Sequence, residues 1–242
     1  MPPILALDKI CKRFGAIVIA EGIDLALAPG EALGIIGPNG AGKTTLFGIM
    51  TGTIVPDAGR VLFEGADITR LAAPQRCRLG IARSFQIPQP FGDMTVFENL
   101  MVGACFGAVQ TIPAAQSRCL DILEACGLVD LANAHAGSLT LLNRKRLELA
   151  RALATEPKIL LLDEIAGGLT QHECDELVTL IRKVNASGVT IVWIEHVLHA
   201  LLSVVSRALV LYQGQFIADG DPRDVIRDPK VAEVYMGIET DA

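Results

Sequence analysis

The sequence predicts an α/β fold: a mostly parallel sheet with helices, an antiparallel β layer at the N-terminus, and an inserted α-helical subdomain. Three observations carry this expectation. Buried-strand patterns in EALGIIG, KILLLDE and VTIVWIEH are interleaved with helical segments, as expected of a parallel core sheet. The first thirty residues instead hold two short strand patterns, ILALDKI and GIDLALA, separated by KRFGA and closed by Pro29-Gly30. The middle third lacks strand patterns, so residues 87–155 are expected to form a helical subdomain, with residues 1–86 and 156–242 forming the α/β core of a single domain.

Each element has its own signal. EALGIIG reads as a buried strand running into a glycine-rich turn, and KTTLFGIMTG as a helix ended by Gly52. RVLFEGADI is hairpin-like, GIARSFQ reads as a further strand, and IPQPFGD, with two prolines and a glycine, breaks regular structure where the chain changes lobe. Thr95 and Glu98 form an S/T-x-x-E capping box behind Met94, so a helix is expected to start at Thr95. Helical patterns run from about Gln116 to Ala125 and from Leu141 to Thr155. HECDELVTLIRKVNASG reads as an amphipathic helix ended by Ser187-Gly188, and RALVLYQGQFIADG as a hairpin around Gln213-Gly214.

Composition narrows the function. A chain of 242 residues, 51% hydrophobic, buries a substantial core. Its net charge of -6 argues against nucleic acid as the main partner, because phosphate-backbone binding leaves a basic footprint. The six cysteines form no C-x-x-C pair and no secretory pattern opens the chain, which suits reduced thiols in a cytoplasmic protein. Asn99 to Ser117 is the longest uncharged stretch outside strands, but Gly103, Gly107, Gln110, Pro113 and Gln116 interrupt it, so no membrane span is expected.

The chemistry begins at Gly37-Pro38-Asn39-Gly40-Ala41-Gly42-Lys43-Thr44, which fits G-x-x-x-x-G-K-[ST] between a strand and a helix. Glycines let backbone N–H groups curl around phosphate oxygens, and the helix N-terminus adds its positive end. Lys43 reaches the β and γ phosphates, Thr44 ligates Mg²⁺, and Thr45 beside it joins the nucleotide-binding set. Ile159 to Glu164 is a buried strand ending in two carboxylates, where a nucleotide site in a parallel sheet needs its metal ligand. Asp163 is the candidate for Mg²⁺, and Glu164 for polarising the attacking water.

Gln86 and His196 each end a strand pattern, and alone each reads as a surface or structural residue. Their order is more informative: phosphate loop, Gln, basic helix, Asp-Glu, strand-end His. In that order the whole chain resembles the ATP-binding subunit of an ABC transporter. GIIGPNGAGKTTLF, PDAGRVLFEGADIT, GIARSFQ, MTVFENLMVGA and PRDVIRDPKVAEVYMG resemble the importer subunits for branched-chain and other hydrophobic amino acids or related amides.

The resemblance implies ATP and Mg²⁺ as ligands, a second ABC ATPase subunit facing this one, transmembrane permease subunits and, indirectly, an external solute-binding protein. The chain would then sit peripherally on the cytoplasmic face of the cell membrane. It further implies that Gln86 senses Mg²⁺ and the attacking water, and that His196 contacts the γ phosphate. Phe14 occupies the position whose ring stacks on adenine, with a core phenylalanine as the alternative. Gln86 to Phe91 is the candidate contact with the membrane subunit. A soluble ABC ATPase working on nucleic acid or ribosomes, and a regulatory subunit that hardly turns over, are the rival readings. His196 and His199, spaced i, i+3, lack an evident third ligand for a metal site.

Leu139-Thr140-Leu141-Leu142-Asn143 aligns with the family's signature loop, approximately L-S-G-G-Q, which completes the facing subunit's ATP site. Thr140 keeps a hydroxyl and Asn143 an amide, but Leu141 and Leu142 replace the glycines, and a side chain on Leu142 is expected to crowd the phosphate approach. Arg144, Lys145 and Arg146 follow, read either as a solvated basic face or as interdomain contacts. A second departure is Ile165 to Thr170, which ends in Thr where the family has Asp or Asn. Together the departures suit an ATPase pair with unequal sites, unless this subfamily tolerates leucine.

Overall fold

The computed structural model describes residues 2–236; Met1 and residues 237–242, including the Gly237 that ends the tail pattern, lie outside the described residues. The chain opens with β1 (Leu5–Phe14) and β2 (Ile17–Leu27), paired antiparallel from Leu5↔Leu27 to Phe14↔Ile17. Both strands outrun their sequence patterns. KRFGA continues β1 to Phe14, and Gly15, at φ 60°, turns the chain within two residues.

β3 (Ala32–Ile36) is buried throughout and feeds the 37–42 loop into α1 (Lys43–Thr51), closed by left-handed Gly52. β4 (Ala58–Phe63) and β5 (Ala66–Asp67) complete an antiparallel sheet of order β2-β1-β4-β5. A short helix, α2 (Ala73–Leu79), has no counterpart among the sequence expectations. Pro74 sits in its first turn, Gln75 caps it by accepting from Ala72 N at 3.0 Å, and Gly80 ends it. Seven residues with one buried side chain give too short an apolar period to read.

β6 (Ile81–Arg83) stops three residues short of the expected strand. Between β6 and β7 (Ile159–Asp163) the chain holds no strand beyond an isolated antiparallel bridge of Thr95 with His135; its elements are α3 (Val96–Val102), a π-helical turn at Gly103–Gly107, α4 (Ile112–Ala125) and α5 (Leu141–Leu153), with two short 3₁₀ turns. The capping box forms: Thr95 Oγ1 accepts from Glu98 N at 3.1 Å, and Glu98 Oε2 accepts from Thr95 N at 2.7 Å. α4 starts earlier than the sequence pattern, with Pro113 in its first turn.

α6 (Gln171–Ala186), β8 (Thr190–Ile194), α7 (Leu198–Leu202), the β9 (Arg207–Tyr212) to β10 (Gln215–Gly220) hairpin, α8 (Pro222–Arg227) and α9 (Pro229–Met236) follow. The central sheet has order β10-β9-β3-β8-β7-β6, parallel except for β10.

Successive residues of a strand face opposite sides, and the central sheet therefore feeds two cores. Leu33, Ile35, Leu161, Val192, Ile194 and Leu209 pack with α1 and the antiparallel sheet. Ala32, Ile36, Leu160, Leu162, Ile191 and Trp193 pack with Val96, Leu100, Leu147 and Leu149 of the helical segment and with α6. The helical segment thus shares a core with the sheet. Pairing Asp163↔Ile194 and Ile35↔Ile194 brings the ends of β3, β7 and β8 flush, so their following loops leave at one edge. A parallel sheet places its ligand crevice there. Among the described residues, no helix is long and apolar enough to cross a membrane.

Candidate functional site

The loop after β3 needs its glycines for lack of space. Gly37 has φ 155°, and a Cβ there would lie 2.2 Å from the Leu211 carbonyl oxygen; at Gly42, φ 99°, it would lie 2.6 Å from Ile19 Cγ2. β9 and β2 therefore press the loop from two sides, and only glycine fits. Lys43 is buried and donates to the carbonyls of Gly37 at 2.7 Å and Pro38 at 3.0 Å. Burial lowers its pKa, while the nearby Glu164 and Asp163 carboxylates favour the charged form. Asn39, Gly40 and Thr44 are exposed at the mouth, Pro38 and Thr45 are partly buried, and Ala41 is buried.

Facing this loop, Glu164 is held at φ 47°, a left-handed conformation unusual for a residue with a side chain, with its N–H donating to Ile194 O at 2.8 Å. Its carboxylate is where three expected residues meet. Oε2 accepts from Gln86 Nε2 at 2.5 Å, and Oε1 lies 2.7 Å from His196 Nε2. Asp163, one residue earlier, is buried and accepts from Arg83 Nη2 at 2.5 Å. The Arg83 guanidinium lies over the rings of Phe47 and Phe85, 5.6 Å and 5.2 Å from their centroids.

Phe14 is 49% exposed at the end of β1, with Lys12 Nζ 5.2 Å from its ring centroid, so the core reading of this ring does not hold. The two histidines part company: His196 meets Glu164, whereas His199 Nε2 lies 2.9 Å from Gln171 Nε2. Among the described residues no group of three or more His, Cys, Asp or Glu is placed to hold a metal.

Thr140 is the N-cap of α5, its hydroxyl accepting from Asn143 N at 3.4 Å, so Leu141 and Leu142 are the first helical residues. Leu142 is 9% exposed and Leu141 44%. Leu141 Cδ2 sits 3.4 Å from where a Cβ on Gly168 would be, so the two segments that depart from the family pattern adjoin. Thr170 is the N-cap of α6 in a full capping box with Glu173, which gives the unexpected threonine a structural role.

The basic run after Asn143 is not a solvated face as a whole. Lys145 is buried, Arg146 pairs with Glu176, and exposed Arg144 donates to the carbonyls of Leu139 at 2.9 Å and Gly137 at 2.8 Å. Further along α5, Glu148 is buried and its pKa raised by desolvation, with Arg151 and backbone N–H groups of Gln89 and Phe85 working against the rise. Arg151 also donates to Gln89 O at 2.9 Å. α5 thereby fixes the 85–89 segment, next to a groove of about 330 Å³ lined by Pro74, Phe85, Val102, Arg151 and Ala152.

Sequence reading missed Lys145 and Glu195 as buried charges and Arg83 as the partly buried partner of Asp163. Each had one signal: a charge inside or at the end of an apolar run, in GIARSF, in the α5 pattern, and in VTIVWIEH. Such charges stay buried only when partners satisfy them.

A strand-loop-helix unit that fits G-x-x-x-x-G-K-[ST], with carboxylates and a histidine at the edge of a parallel sheet, defines a nucleotide-binding cassette. The chain belongs to the ABC transporter family, whose pattern matches residues 20–167. Its relatives include the high-affinity branched-chain amino acid transport ATP-binding protein LivG of Escherichia coli (strain K12), 37% identical over 97% of this chain and 98% of that protein. The lipopolysaccharide export system ATP-binding protein LptB of Acidithiobacillus ferridurans is 32% identical over 98% of each. The ADP conformation of MJ1267, an ATP-binding cassette of an ABC transporter, superposes with a TM-score of 0.90 at 35% identity, covering 98% of this chain and all of that one.

Proposed function

We propose that this chain is the ATP-binding and ATP-hydrolysing subunit of an ABC importer for branched-chain or other hydrophobic amino acids or related small amides. The observation that carries the enzymatic part is the Glu164 carboxylate held between Gln86 and His196 at the edge where the Lys43 loop opens. Lys43 binds the β and γ phosphates, with backbone N–H groups of 37–45 around them, and Phe14 stacks on adenine. Glu164 orients and deprotonates the attacking water, and His196 holds the γ phosphate oxygens. The solute class rests on the names of LivG and its counterparts in other organisms.

A hydroxyl at Thr44, the buried Asp163 carboxylate and the Gln86 amide form an all-oxygen donor set suited to Mg²⁺. The ion would neutralise phosphate charge. Residues 87–155 form the signature subdomain, and 1–86 with 156–242 the nucleotide core. Thr140, the Leu142 N–H and Asn143 serve the nucleotide of a second ATPase subunit. The apolar groove beside Gln86 to Phe91 receives a cytoplasmic segment of the permease, which places the chain peripherally on the cytoplasmic face of the membrane; an external solute-binding protein delivers the solute.

ATP turnover by the chain reconstituted with its permease subunits tests the reading. Solute-stimulated hydrolysis abolished by Glu164→Gln is expected. The leucines of the signature loop favour a second reading, a regulatory subunit of low turnover. Absence of ATP cleavage in a single-turnover experiment on the assembled complex would decide for it.

A further inference from the structure

His196 and Glu164 come from different loops, yet their side chains meet at 2.7 Å. One buried side chain, Glu195, ties those loops together. It is 2% exposed, and its two carboxylate oxygens divide between the loops. Oε1 accepts from the backbone N–H of His196 at 2.9 Å and of Val197 at 3.3 Å; Oε2 accepts from the N–H of Ala166, two residues beyond Glu164, at 2.9 Å. A carboxylate bridging backbone donors of both loops fixes their separation in a way that no single-acceptor side chain of this length reproduces.

Both oxygens of this buried side chain are thus taken up by backbone donors, two on the His196 side and one on the Glu164 side.

The geometry points to Glu195 as a positioning residue that holds His196 against Glu164. This rests on the reading that Glu164 and His196 act together on ATP. Glu195 is buried with both oxygens bonded to backbone N–H groups, so its effect belongs in turnover and not in nucleotide affinity. A glutamine in its place keeps one acceptor and presents an NH₂ group to backbone N–H donors, which pushes one loop away.

The test uses the full chain labelled at its four histidines. In the otherwise unchanged protein, Glu164→Gln shifts the NMR signals of the His196 ring. In a Glu195→Gln background the same substitution is expected to move them by less than a third as much, and in a Glu195→Asp background, where a shorter carboxylate has to span both loops, by less than half. In the assembled transporter, Glu195→Gln is expected to lower kcat at least tenfold with the KM for ATP within twofold.

Undiminished coupling between positions 164 and 196 in the Glu195→Gln chain overturns the proposal. Should that chain not fold, undiminished coupling in Glu195→Asp does the same. A lowered melting temperature with coupling and kcat intact assigns Glu195 to stability alone, and also overturns it. Since the ring signals are read without hydrolysis, an unchanged complex that fails to cleave ATP defeats the proposed function and leaves this inference to be decided by the coupling.

Discussion

Two segments of this chain are assigned the same task, offering backbone N–H groups to phosphate, and they accept opposite residues. In the 37–42 loop, Gly37 and Gly42 lie at φ 155° and 99°, under Leu211 and Ile19, where a Cβ would collide. At Thr140 to Asn143 the donors are those of a helix start. Leu141 and Leu142 lie in the first turn of α5, so neither needs a left-handed backbone, and the side chain of Leu142 is buried. The crowding expected of Leu142 is therefore absent from its own chain. Glycine is demanded by a curled loop pressed from behind, and not by phosphate as such.

The contrast predicts where substitution does most harm. Gly37→Ala is expected to weaken ATP binding by two orders of magnitude or more and to destabilise the fold by about 1–3 kcal/mol, because backbone must move. A fluorescent-nucleotide titration and a urea melt measure both. Unchanged binding would break the contrast at its strong end. Glu164→Gln should lower hydrolysis at least about 10²-fold while leaving nucleotide affinity intact. Light scattering of that variant with Mg-ATP is expected to show a mass of two chains, if the leucines permit a closed pair; a nucleotide-bound monomer would make a second, glycine-bearing ATPase the required partner.

On the signature side the expected effects are smaller and structural. Leu142→Gly removes a buried side chain and should destabilise by about 2–4 kcal/mol, whereas Leu141→Gly, half-exposed, should stay near 1 kcal/mol. Urea unfolding of the two variants separates them, and a reversed order would show that Leu141's position over Gly168 matters more than burial.

The smallest effect belongs to the α6 cap. Thr170→Ala should destabilise by about 1 kcal/mol, read by the same method. There the backbone and hydroxyl donors of Thr170 lower the Glu173 pKa below its ordinary 4.5. The contribution of that bond is thus full above the ordinary value and is lost as pH falls through the lower, folded-state value. Glu173→Gln should flatten the stability profile in that acid window.

By itself, the sequence determined the layered architecture, because strand and helix periods, glycine stops and the Thr95-Glu98 box are local signals. It also determined the phosphate loop, whose spacing encodes its geometry, and the order of Gln86, Asp163, Glu164 and His196. α2 and the full reach of β1 and β2 stayed hidden, since short or interrupted apolar periods do not stand out from loops. Only the tertiary structure decided that Gln86 and His196 meet on one carboxylate, that Phe14 is outside the core, that Lys145 and Glu195 are buried, and that Arg83 pairs with Asp163. These are facts of strand register and of packing between residues far apart in sequence. A local pattern carries a residue's own conformation, but which distant charge satisfies it is fixed only when β6, β7 and β8 lie side by side.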